Sequence, residues 1–346
     1  MRTLSTFVIA EAGVNHNGVD ELALRLVDTA ANCGADAVKF QTFTADKLVR
    51  RGAAKAEYQL DSTGAGDQHS MLSSLELSES MHRVLFERCA QRGIEFMSTP
   101  FDEDAVDFLL DLGMRRIKIP SGEITNHPFL RYLALKDVPL ILSTGMASMG
   151  EIEAATSVIS SVREAAGFRH PLEDILTVLH CTSNYPAALG DVNLRAMRTI
   201  ADAIKVPVGY SDHTLGISVS TAAVACGATV IEKHFTLDKS MPGPDHKASL
   251  APDELASMIN QIRAVELALG NPHKHPTAAE LPIRDVVRRS VTSSRALTAG
   301  EPLVLGDVCL LRPGIGIPPS ELHSLVGRVL KRSVPAGTTL HWSDLA

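Results

Sequence analysis

The chain has 346 residues, 45% of them hydrophobic and only 4% aromatic, and carries a formal net charge of −7. No long basic run accompanies that charge, which argues against a nucleic-acid or acidic-membrane surface; the scarcity of aromatics argues against stacking on bases or polysaccharide. Five scattered cysteines with no CxxC pair fit a reducing compartment, and with no run of about 18 apolar residues and no leader-like start the expectation is a cytoplasmic protein.

Eight short apolar runs recur through the first 240 residues, and each ends in reactive side chains. In order they lead into Glu11, then Lys39 to Gln41, Ser98-Thr99, Lys118 to Ser121, Ser143-Thr144, His180 to Thr182, Tyr210 to His213, and Glu232 to His234. Helical patterns separate them. One starts at Asp20 and stops at Cys33-Gly34; another runs from Ser78 to Gly93; Ser148 with Glu151 reads as a capping box; the last runs from Pro252 to Gly270. Strand–helix alternation at this spacing predicts a parallel sheet, and eight repeats predict a (β/α)8 TIM barrel with its active site on the C-terminal rim. An open doubly wound sheet is the rival, but Gly13 to Gly18 does not match its GxGxxG turn. The segment from Thr44 to Leu75 is long for a barrel loop and reads as a lid or a tip.

After Gly270 the texture changes to short β-like runs broken by Gly and Pro. The expected organisation is a barrel over 1–270, a linker over 271–288 and a small β-rich domain over 289–346.

His213 and His234 end consecutive strands, about 5 Å apart, so both imidazoles can reach one divalent metal. Asp212 and Glu232 are candidate supporting groups. Nitrogen and oxygen ligands suit Mn2+, Mg2+, Fe2+ or Zn2+. Lys39, Lys118 and Lys233, with Thr99, Ser121, Ser143, Thr144, Thr182, Ser183 and Ser211, form a candidate phosphate site. A Schiff-base role competes for Lys118. Glu11 is a candidate acid or base. His16 reads equally as a cap or a binding group, and Met146 as packing.

Eight motifs in chain order resemble the sialic acid synthases and their legionaminic and pseudaminic acid relatives. They are Ala10 to Gly18, Val38 to Phe43, Ser98 to Asp102, Lys118 to Glu123, Leu142 to Met146, Tyr210 to His213, Glu232 to Lys239, and Gly243 to His246. Arg312 to Ile317 resembles the signature of that family's C-terminal antifreeze-like SAF domain. The resemblance implies condensation of phosphoenolpyruvate with the open-chain aldehyde of an N-acetylated hexosamine, with C–O cleavage and release of phosphate. It implies Mn2+ on His213 and His234, with Mg2+ or Co2+ as alternates. It implies that Lys118, Ser121, Thr99, Ser143 and Ser183 hold phosphoenolpyruvate, with Lys39 and Gln41 nearby; some members have Asn where this chain has Ser183. Glu11 and Asp245 would meet the sugar or the attacking water, and Tyr185 would shape the sugar pocket. A homodimer is implied, with the small domain swapped so that Arg312 enters the partner's site. N-acetylmannosamine, giving N-acetylneuraminate, is the first expected sugar. The alternative is a 2,4-diacetamido-6-deoxyhexose giving legionaminic or pseudaminic acid. A non-catalytic carbohydrate-binding protein is the reading from a different class.

Overall fold

The computed structural model describes residues 5–346, the side chain of Asp61 excepted. Residues 1–4, where the expected barrel segment begins, lie outside the described residues. The chain divides into two compact units, Met1–Gly270 and Asn271–Ala346.

The first unit contains β1 (Phe7–Gly13), β2 (Ala37–Thr42), β3 (Glu95–Pro100), β4 (Ile117–Ile119), β5 (Leu140–Ser143), β6 (Leu176–Cys181), β7 (Val208–Asp212) and β8 (Val230–His234). All ladders are parallel, and β1 pairs with both β2 and β8. Hydrogen bonding runs unbroken in the order β3-β2-β1-β8-β7-β6-β5-β4. The two end strands, β3 and β4, lie side by side without a ladder and complete the ring. β4 is only three residues long, because Pro120 follows and has no N–H to give.

Side chains alternate across each strand. One set, Ile9, Ala37, Met97, Ile141, Leu179 and Val230, packs as a separate small cluster; it fills the barrel interior. The other set, including Val8, Ala10, Phe40, Ile117, Leu142 and Ile231, joins the apolar faces of the helices in the main core. Both faces of these strands are therefore buried, as parallel sheets require. Helix ends follow their local chemistry. Ser78 Oγ accepts from the Met81 amide at 3.1 Å, and Gly93 closes that helix at φ 69°. Ser148 and Glu151 form the reciprocal capping box.

The Thr44–Leu75 segment is neither a bare loop nor a tip. It folds into three short helices, Ala45–Leu48, Glu57–Thr63 and Gln68–Ser73. Met71 and Leu75 anchor it against Val14 and Phe43.

The second unit has one antiparallel pair, β9 (Ser290–Ser293) with β10 (Val308–Leu311), and isolated bridges between its turns. Val291, Leu297, Leu303, Ile317, Leu325, Leu330, Val334, Leu340 and Leu345 make its own core. The stretch expected as a linker differs from a plain connector. It holds a helix, Glu280–Val287, and the Asp285 carbonyl accepts from the Gly314 amide at 2.7 Å.

Candidate active site

The alternation that builds the barrel also builds the site. Two residues beyond Ile9 on the same face is Glu11. Beyond Ala37 come Lys39 and Gln41; beyond Met97, Thr99; beyond Ile141, Ser143; beyond Leu179, Cys181 and Ser183; beyond Val230, Glu232 and His234. Ser211 and His213 share this parity on β7. These residues line one cavity of about 200 Å3 together with Lys118, Ser121, Phe101, Met146 and Tyr185. A larger hollow of about 470 Å3 lies by the start of β3, around Phe86 and Arg115, but no lysine or histidine lines it.

Two carboxylates and two ammoniums form the floor. Lys39 Nζ is 2.6 Å from Glu11 Oε2, 3.6 Å from Glu232 Oε2, and donates to Thr99 Oγ1 at 2.8 Å. Lys118 Nζ is 3.4 Å from Glu232 Oε1, which also accepts from Ser211 Oγ at 3.0 Å. All four charged residues are buried. Burial pushes the Glu11 carboxyl up to about 7 against the pull of Lys39. Burial also presses on Glu232, but Lys118 and Lys39 hold it down to about 2. Burial lowers Lys118 against the pull of Glu232, whereas Glu11 and Glu232 raise Lys39 in spite of its burial. When Glu11 is protonated the floor carries net positive charge, which suits an anion in a desolvated site.

Hydroxyls rim that floor. Ser121 Oγ accepts from the Gly145 amide at 2.9 Å. Ser143 Oγ is buried and makes no hydrogen bond within the protein. Gly145 leaves room for these hydroxyls: a Cβ on it would lie 2.0 Å from Ser183 Oγ and 2.9 Å from Ser121 Oγ and would force them to move. Gly13, at φ 53°, plays a similar part across the ring, where a Cβ would crowd His234 Cε1 at 3.2 Å and Glu11 Oε1 at 3.4 Å.

The two imidazoles stand 5.7 Å apart, centroid to centroid. Burial lowers His213 and lowers His234 well below the ordinary range, so both rings are neutral near pH 7. His213 Nδ1 donates to the Thr182 carbonyl at 2.7 Å. That fixes the tautomer and leaves Nε2 as acceptor for the Tyr185 hydroxyl at 3.0 Å. His234 Nδ1 is buried without a partner. Neutral rings, one with an unpartnered nitrogen and one oriented by a backbone carbonyl, fit a divalent metal once the Tyr185 hydroxyl gives up His213 Nε2. Among the described residues no third His, Cys, Asp or Glu joins them.

Several expected members lie elsewhere. Asp212 and Lys233 sit at the opposite parity and face the helices. They pair with each other at 3.0 Å, Asp212 accepts from Thr214 and Ser220, and Lys233 donates to the Thr214 carbonyl. Neither reaches the cavity. The Thr144 hydroxyl donates to the Leu179 carbonyl at 2.9 Å and Thr182 donates to the Asp191 carbonyl at 3.1 Å, so both are spent on the backbone. His16 is buried away from the cavity and accepts from the Gly18 amide. Asp245 does not line the cavity but is buried close enough to Tyr58 and Tyr185 to raise both phenols. Met146 is not packing: it is exposed and lines the mouth. Arg312 belongs to the second unit, where it is exposed. Sequence reasoning missed Cys181 and Phe101. Cys181 was findable, since it stands between Leu179 and Ser183 on the inward face.

The NeuB family matches residues 26–274, and the SAF domain matches residues 288–346. The chain belongs to the NeuB family. It is 54% identical over 344 residues to the N,N'-diacetyllegionaminic acid synthase of Legionella pneumophila, covering 99% of this chain and 95% of that one. It is 45% identical to the N,N'-diacetyllegionaminic acid synthase of Campylobacter jejuni, covering 95% and 96%. Among solved structures it resembles the N-acetylneuraminic acid synthetase of Leptospira borgpetersenii, at 34% identity and a TM-score of 0.70, over 81% of this chain and 90% of that one. NeuB-family synthases are enzymes, and the barrel with a C-terminal SAF domain is their architecture in this chain.

Proposed function

We propose that this NeuB-family chain condenses phosphoenolpyruvate with a 2,4-diacetamido-6-deoxyhexose to give a legionaminic-acid-type sugar and phosphate. N-acetylmannosamine stood first from motifs alone. The 54% identity over nearly the whole chain to a legionaminic acid synthase is the observation that reverses the order.

The chain's own groups suit that chemistry. Lys118, Ser121, Ser143 and Ser183 offer an ammonium and hydroxyls to phosphate, and Lys39 with Thr99 offers donors to the carboxylate, while Ser211 is held by Glu232. The methylene carbon of phosphoenolpyruvate attacks C1 of the open-chain sugar, forming the C–C bond, and the aldehyde oxygen takes a proton. Water adds at the carbon bearing phosphate and loses a proton, and that C–O bond then breaks to release phosphate and the keto acid. Glu11, at the junction of Lys39 and Gln41, is the group on the floor able to give or take a proton near neutral pH. His213 and His234 would hold a divalent metal, Mn2+ by resemblance, which when bound supplies Lewis-acid polarisation of the aldehyde. The Thr182 carbonyl would keep His213 Nε2 aimed into the cavity, with the Tyr185 hydroxyl on that nitrogen until a metal takes its place. Asp245, buried beside Tyr185 and outside the cavity lining, would support the sugar site through that ring.

Arg312 extends the reading to a homodimer. It makes no ion pair or hydrogen bond among the described residues, and an unpaired guanidinium on an exposed turn suits delivery to a partner's anionic substrate.

Phosphoenolpyruvate labelled with oxygen-18 at the bridging position tests the reaction. The label is expected in the released phosphate, alongside a keto acid carrying both acetamido groups. Label in the keto acid, or no phosphate release with the diacetamido sugar, would overturn it.

A further inference from the structure

The excursion after β2 brings one aromatic side chain, which no rim motif predicts, against Tyr185 of the cavity wall. Tyr58, on the helix Glu57–Thr63, stacks on Tyr185 with ring centroids 5.3 Å apart and planes 29° from parallel. Tyr185 in turn lies 4.1 Å from the His213 ring and edge-on to His234 at 5.7 Å. The order from the barrel floor outward is therefore imidazoles, Tyr185, Tyr58.

The helix is not loosely hung. Lys55 Nζ donates to Thr63 Oγ1 at 2.9 Å and to the Gly64 carbonyl at 3.1 Å, the Gln68 amide donates to the Ala53 carbonyl at 2.9 Å, and Asp67 caps the next helix through the Ser70 amide. Asp245 is near enough to raise the Tyr58 phenol, which burial already pushes up, to about 12. Tyr58 therefore presents a neutral, half-buried aromatic face beside a buried carboxylate.

We propose that Tyr58 is a specificity-determining residue, forming the outer wall of the sugar site and packing on the apolar groups at the end of the acceptor remote from C1. The inference rests on the synthase reading above. If C1 of the sugar lies by the imidazoles, where phosphoenolpyruvate on the lysine floor can reach it, the rest of the six-carbon chain runs outward past Tyr185. Its far end then meets Tyr58. A 6-deoxy methyl group and a second acetamido methyl present carbon to an aromatic face, where N-acetylmannosamine presents hydroxyls.

Steady-state kinetics of Tyr58→Ala and Tyr58→Phe with each sugar test this. Tyr58→Ala is expected to raise the KM for the diacetamido sugar about tenfold, the order of an aromatic packing contact. The KM for phosphoenolpyruvate should stay within about twofold, and the rise for N-acetylmannosamine should be smaller. Tyr58→Phe keeps the face and should keep the KM. An unchanged sugar KM in Tyr58→Ala, or an equal rise for both substrates, overturns the assignment. If Tyr58→Ala lowers the melting temperature, Tyr58→Leu retains apolar bulk and the same split is expected of it. A wild type that accepts only N-acetylmannosamine would sink the legionaminic reading and this assignment with it, whereas a wild type that prefers the diacetamido sugar with an unchanged KM in Tyr58→Ala would sink the assignment alone.

Discussion

Glu11 and Glu232 face the same two lysines, yet their environments push them apart, one up to about 7 and the other down to about 2. Such a split separates a proton carrier from a permanent counter-ion. The imidazole pair carries a different burden. His213→Ala and His234→Ala are each expected to lower kcat/KM by about a thousandfold while leaving the melting temperature near wild type. Full activity of wild type after exhaustive chelation would refute the metal role. Asp245 offers a test in stability instead of rate. Burial raises its carboxyl from 3.8 to about 6, so folding takes up a proton between those values. Its contribution to stability is fully present below pH 3.8 and is lost as pH rises through about 6. Asp245→Asn removes that loss. In urea melts the variant should gain up to about 3 kcal/mol over wild type at about pH 8, and little at about pH 4. Equal differences at both pH values would contradict this account.

Strand alternation decides which side chains the barrel gives to chemistry and which it keeps for structure. The eight strands were legible in the sequence because each buried run is bounded by helix caps and breakers, and their C-terminal ends marked the rim. The rim alone did not separate faces. Lys233 sits between Glu232 and His234 and shares their position in chain order, but one residue of offset turns it into the helix layer to meet Asp212. Counting by twos from Val230 would have excluded it, and from Leu179 would have admitted Cys181. Tyr58 was beyond reach, since nothing in the Thr44–Leu75 segment marks where its helix returns. The buried Asp212–Lys233 pair has its own consequence. Lys233→Met leaves Asp212 charged and short of a partner, and should cost about 3–5 kcal/mol in denaturant melts. Adding Asp212→Asn, which still accepts from Thr214 and Ser220, should recover part of that loss. A neutral single variant would mean the pair holds nothing in place.

The chain as a whole joins a barrel carrying nearly all the candidate chemistry to a small unit that presents Arg312 on an exposed turn. If sites are shared between two copies, an Arg312→Ala subunit and a His213→Ala subunit, each inactive alone, should regain activity on verified exchange. No recovery would restrict each site to one chain. No helix is long and apolar enough to cross a membrane among the described residues. The choice of sugar is the central claim, and direct competition measures it. With limiting phosphoenolpyruvate and equal concentrations of the 2,4-diacetamido-6-deoxyhexose and N-acetylmannosamine, product masses report the ratio of the two kcat/KM values. The diacetamido product is expected to dominate by about a hundredfold, the order that a few apolar contacts supply; a mixture led by N-acetylneuraminate would contradict the account.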